Sequence, residues 1–171
     1  DTTDGPNVRY ANMTFGQGMN VTMIQTAAAF SAAINGGTYY QPTVIKGTLG
    51  TDGKIAEQPA KVVATNVLRP DISAQLRDMV WQGRKLGFFG NKDPEGYKVG
   101  GKTGTSQIID PKTGKYSDDN SIGSYLGFGG TDEPKYVIMV RVEDSKLRGG
   151  YAGTIAAGPI FNELSNWMLK Y

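Results

Sequence analysis

Seven consecutive residues carry the clearest chemical signal in this chain: Gly100-Gly101-Lys102-Thr103-Gly104-Thr105-Ser106. One lysine charge, two threonine hydroxyls and three glycines fit two unrelated kinds of anion site. Together with Gly96, the stretch satisfies the spacing G-x-x-x-x-G-K-T of a phosphate-binding loop. Such a loop needs a buried strand before its first glycine and a helix starting at the lysine. Before Gly96 the chain reads Phe88-Phe-Gly-Asn-Lys-Asp-Pro-Glu95, a turn. After Thr103 come Gly104, Pro111 and Gly114, which cannot sustain a helix. The alternative is an extended strand lining a cleft. There Lys102 supplies a positive charge, Thr103 and Thr105 can bind a carboxylate, and Gly104 leaves room for a substrate lying along the strand.

Composition narrows the chemistry further. The 171 residues contain no cysteine and no histidine, with a net charge of +2. Disulfides, thiol catalysis, a Ser-His-Asp triad and nearly all zinc chemistry are therefore excluded for this chain. Catalysis here has to run on Ser, Thr, Lys, Tyr, Asp or Glu, and neither a metal nor an organic cofactor is expected. The interspersed charges give no sign of a nucleic-acid or membrane-surface partner. No run of about 18 apolar residues could span a bilayer. Length and composition suit one folded domain or a large piece of one.

The elements that must position the motif can be read from periodicity. Residues 19–35 predict a helix: Thr22 and Gln25 form a capping-box pattern, Ile24, Ala27, Ala28, Ser31 and Ile34 repeat at helical spacing, and Asn35-Gly36-Gly37 stops it. Thr38–Tyr40 and Thr43–Ile45 read as one edge strand around Pro42, with Lys61–Val63 as a return strand. A second helix is expected from Pro70 to about Trp81, its apolar face carried by Ile72, Leu76, Met79 and Val80.

Residues 97–109 read as the motif strand and 110–121 as a polar loop. Strands at 124–128 and 135–142 should form an antiparallel hairpin. The second is apolar on both faces, which predicts a central, doubly covered position. Residues 153–170 predict a final helix whose start Pro159 delays. The order implies a mixed α+β fold with an antiparallel sheet and packed helices, without βαβ units.

Several segments in order resemble the transpeptidase domain of class B penicillin-binding proteins. They are Phe15-Gly-Gln-Gly18, Val21-Thr22 with Gln25 and the alanine-rich helix, Gly101-Lys-Thr-Gly-Thr-Ser-Gln107, Tyr125-Leu-Gly-Phe128, Glu133-Pro134, the strand ending Val142-Glu143, and Tyr151-Ala-Gly-Thr-Ile-Ala-Ala157 followed by Pro159-Ile-Phe161. Met23 stands where that family has a proline. The resemblance runs from about Tyr10 to Tyr171.

It implies the C-terminal portion of a serine β-lactamase/transpeptidase-like fold. The parent would cross-link peptidoglycan stem peptides through an acyl-serine, bind β-lactams, and sit at the extracytoplasmic face of the bacterial membrane through an upstream anchor. It further implies that Lys102 is catalytic, that Thr103, Gly104 and Thr105 bind substrate, and that the Thr105 backbone N–H serves the oxyanion hole.

The family's nucleophile motif S-x-x-K and its helper S-x-N are absent from these 171 residues. Tyr10-Ala-Asn12 has the Y-x-N form but stands out of family order. The resemblance thus places both motifs upstream of Asp1, makes the rest of the domain a partner, and predicts that the isolated chain is inactive. It also implies an open edge beside 135–142 at which a fragment could dimerise. A phosphate-binding-loop enzyme using Gly96 to Thr103, and a non-catalytic scaffold of the same fold, are the competing readings.

Overall fold

The computed structural model describes residues 6–14, 16, 19–90, 92–110, 112–145 and 152–171. Of the Phe15–Gly18 stretch only Gly16 is described, and Asp1–Gly5 and Tyr151 lie outside the described residues. The chain opens with helix α1 (Pro6–Met13), which the sequence reading did not anticipate because Asn7, Val8 and Tyr10 show no buried periodicity and are exposed. Helix α2 (Met23–Ile34) follows. Its start is the expected capping box: the Gln25 N–H donates to Thr22 Oγ1, and the Thr22 N–H donates to Gln25 Oε1 at 2.9 Å. Its glycine stop at Gly36 and Gly37 uses positive φ at both positions.

Two small two-stranded sheets come next. β1 (Tyr39–Tyr40) pairs with β4 (Val62–Ala64), as the return-strand expectation required. β2 (Gly47–Leu49) pairs with β3 (Ile55–Glu57). Residues 43–45 are not part of any strand, contrary to expectation. Pro42 interrupts the donor pattern, and Val44 and Ile45 are solvent-exposed, so no neighbour rewards extension there. Helix α3 (Pro70–Lys85) starts at its proline and runs a turn past the expected end.

The main sheet is antiparallel in the order β5 (Lys98–Ile109), β6 (Tyr116–Gly130), β7 (Pro134–Ser145). Two expectations are corrected here. β6 begins at Tyr116, so half of the expected 110–121 loop is strand: Asp110 closes a turn with Lys115 and Gly114, and the strand beyond is polar because it belongs to a hairpin arm. The central strand is β6, and β7 lies at the sheet edge among the described residues. β7 is apolar on both faces because helices cover both. Tyr136, Ile138, Val140 and Val142 join the core under α4, and α2 packs on the same strand. Coverage by two layers does not require a central place.

A five-residue π-helical turn (Gly153–Ala157) leads into α4 (Gly158–Met168). Pro159 lacks the N–H that a regular ladder would direct to Ile155, and the Gly158 N–H instead reaches back to Gly153 O. The late helix start expected from Pro159 is thus a π-to-α transition. The core lies between sheet and α4, where Phe89, Val99, Tyr125, Val140, Ala157, Phe161 and Leu169 cluster. Full burial of a side chain such as Phe161 contributes about 1.5–3 kcal/mol.

Candidate active-site strand

The motif strand carries glycine where its neighbours leave no room for a side chain. A Cβ at Gly101 would lie 2.2 Å from Tyr125 Cε1, and one at Gly100 would lie 2.4 Å from Phe128 Cε1. Register explains the first contact: Thr103 stands opposite Tyr125 and Gly101 opposite Gly127, so the Tyr125 ring lies diagonally across Gly101. Lys102 and Thr103 sit in the middle of this twelve-residue strand. Gly96, at φ +84°, belongs to a turn two residues before it. No helix begins at Lys102, which removes the phosphate-binding-loop reading.

Lys102 is exposed, and its Nζ donates to the Thr103 carbonyl at 2.8 Å, with Thr103 Oγ1 at 3.4 Å. Thr103 and Thr105 stand two residues apart and therefore on one face of β5. The Gly153 N–H donates to Thr105 Oγ1 at 3.2 Å. That bond occupies an acceptor site and leaves the hydroxyl proton free to bind an anion. Two glycines let the π-helical turn come this close. A Cβ at Gly153 would lie 2.4 Å from Gly104 O, and one at Gly123, opposite Thr105, would lie 2.4 Å from Ala152 O.

Beside Lys102 and Thr103 runs a cavity of about 570 Å³ between α3 and β5. Leu76, Met79, Val80, Phe88 and Phe89 form its apolar walls, and Gly83, Gly87 and Gly101 widen it. Thr154 and Arg84 also face it.

Arg84 sits on the same helical stripe as Leu76 and Val80, and its side chain is fully buried. Its Nε donates to Asp93 Oδ2 at 2.7 Å and its Nη2 to Asp93 Oδ1 at 2.5 Å. Nη1 donates to Tyr125 Oη at 2.8 Å, and Nη2 also reaches Asn162 Oδ1 at 2.8 Å. The guanidinium lies 5.2–5.7 Å from the ring centroids of Phe89, Tyr125 and Phe161. Burial opposes its charge, but its hydrogen bonds and electrostatic contacts with Asp93 and Tyr125 outweigh it, so its pKa is held above the ordinary value. Burial likewise pushes the Tyr125 hydroxyl up, against the opposing pull of Arg84.

The structure thus brings all four motif residues, Lys102 to Thr105, onto one strand beside a cavity. Sequence reading missed Arg84, Tyr125, Gly153 and Thr154 as neighbours of that strand. A charged residue continuing the apolar stripe of α3 was the available signal for Arg84. No cluster of three or more His, Cys, Asp or Glu residues suited to a metal occurs among the described residues.

The model of the penicillin-binding protein transpeptidase domain matches residues 2–166. The chain belongs to this family. It is 39% identical over 159 residues to stage V sporulation protein D of Bacillus subtilis, covering 92% of this chain and 24% of that protein. It is 32% identical over 168 residues to the penicillin-binding protein PbpB of Mycolicibacterium smegmatis, covering 94% and 26%. The transpeptidase-family chain therefore spans about a quarter of the length of these curated relatives.

Among solved structures, penicillin-binding protein 3 from Mycobacterium tuberculosis, complexed with aztreonam, superposes with a TM-score of 0.77 at 28% identity. That match covers 94% of this chain and 37% of the other. The mixed α+β architecture expected from sequence is thus the penicillin-binding transpeptidase fold. No helix among the described residues is long and apolar enough to cross a membrane.

Proposed function

We propose that the parent protein is a serine D,D-transpeptidase and that these 171 residues are the C-terminal portion of its catalytic domain. In the reaction, a serine Oγ attacks the penultimate D-Ala carbonyl of a stem peptide. The C–N bond to the terminal D-Ala breaks, and that residue leaves as the free amino acid with the proton on its amine. The acyl-serine then passes to an amine of a neighbouring strand, which releases the serine. No serine of this chain has the S-x-x-K spacing, so the nucleophile is assigned to another part of the parent, and the isolated chain is expected to be inactive. The parent would work at the extracytoplasmic face of the cell membrane, where peptidoglycan lies.

The supporting observation is the placement of Lys102-Thr103-Gly104-Thr105 along β5. Lys102 supplies positive charge at the cleft. The Thr103 and Thr105 hydroxyls bind the substrate's terminal carboxylate, Gly104 admits the substrate backbone, and the Thr105 N–H donates to the oxyanion. β-Lactams would enter by the same route. Binding of one to the Mycobacterium tuberculosis relative agrees with this.

The test is covalent labelling of the full-length product by a fluorescent penicillin. Wild type should label, and Lys102→Ala should label about 100-fold more slowly, the scale of losing one group that stabilises the transition state. A folded wild type that never labels would overturn the reading.

A further inference from the structure

We propose that Arg84 is a positioning residue for acyl transfer: held by Asp93, it fixes the Tyr125 ring against Gly101 and so sets where Thr103 presents its hydroxyl. The inference rests on the transpeptidase reading above. β5 has glycine at 100, 101 and 104, so its own backbone resists displacement weakly. Its position must come from what it leans on. Tyr125 is opposite Thr103 in register, and its ring occupies the space that a Gly101 side chain would fill.

Tyr125 is in turn held from below by one N–H of Arg84 at 2.8 Å. The same guanidinium is gripped at two points by Asp93, whose side chain is 12% exposed, and reaches Asn162 on α4. Four segments therefore meet at one cation: α3, the connection that carries Asp93, β6 and α4. A planar fork with five donors can serve all three partners at once, whereas an ammonium cannot hold that geometry. Arg84 also borders the cavity beside Lys102, and its contact to the strand runs through the buried Tyr125 ring. Arg84 does not touch the reacting atoms in this account, and acts through Tyr125.

The test is stopped-flow acylation of the full-length protein by a fluorescent penicillin, resolved into a dissociation constant, an acylation rate constant and a labelled fraction. Tyr125→Phe keeps the ring and deletes only the hydroxyl that Arg84 holds. Arg84→Lys keeps a charge beside Asp93 and deletes the fork. Both should lower the acylation rate constant about tenfold, as expected for a small misplacement at a reacting centre. The labelled fraction should stay complete.

A purely structural role would instead reduce the labelled fraction while the folded remainder reacted at the wild-type rate. Acylation rate constants within twofold of wild type in both variants would overturn the proposal, whatever the labelled fraction. A wild type that does not label at all is a different result, because it removes the transpeptidase reading on which the proposal stands.

Discussion

Gly101 and Tyr125 share one volume, and that constraint gives a direct prediction. Gly101→Ala must displace the Tyr125 ring, since no Cβ tolerates a neighbour at 2.2 Å. Overpacking of this kind costs about 1–3 kcal/mol. A lower unfolding midpoint together with slower penicillin acylation is expected, and an unchanged midpoint would show that the ring moves freely.

Tyr125 also makes a pH prediction. Burial raises its pKa, and burial raises that of Tyr136 too, against a hydrogen bond to Ser165. Above about pH 10, the unfolded chain has released these protons while the folded protein retains them. Stability is therefore fully present below that pH and falls as pH rises further. Tyr125→Phe should make the alkaline decline shallower in denaturant titrations at stepped pH, and an equally steep decline would exclude Tyr125 as a contributor.

At the scale of elements, the Thr22–Gln25 capping box holds the first turn of α2. Thr22→Ala should cost about 1 kcal/mol locally. Hydrogen exchange of that turn would then rise about fivefold, which is what 1 kcal/mol means for an opening equilibrium. Protection equal to wild type would show that packing against the sheet, rather than the cap, holds the turn.

This helix was legible in the sequence because its cap, periodicity and glycine stop agree with one another. α3 and the motif strand were legible for similar reasons: a proline start for one, and no capacity for helix after Lys102 for the other. Residues 116–121 were not, because Tyr116-Ser-Asp-Asp-Asn-Ser121 has no apolar alternation to betray a strand. The family resemblance implied an open edge beside 135–142, but periodicity hid the edge position of β7 for the opposite reason. Helices on both faces make an edge strand as apolar as a central one. At the candidate site, Lys102 to Thr105 were readable as a motif. Arg84 and Gly153 were not, since their importance comes from contacts made across 41 and 48 residues of sequence.

For the whole molecule, the outer edge of β7 has no strand partner among the described residues. An unpaired edge is a template for another strand. We propose that the isolated 171-residue chain pairs with a second copy along β7. Sedimentation across a wide concentration range should show a monomer–dimer equilibrium that a proline at an outward-facing β7 position weakens. A monomer at every concentration would contradict this.

If β5 is the wall of an acyl-transfer cleft, a crystal structure of the full-length protein acylated by a β-lactam will show the drug lying along it. The adduct should form on a serine from outside these 171 residues, with the drug carboxylate about 3 Å from the Thr103 and Thr105 hydroxyls and its acyl oxygen on the Thr105 N–H. An adduct whose carboxylate and acyl oxygen both lie away from β5 would contradict it.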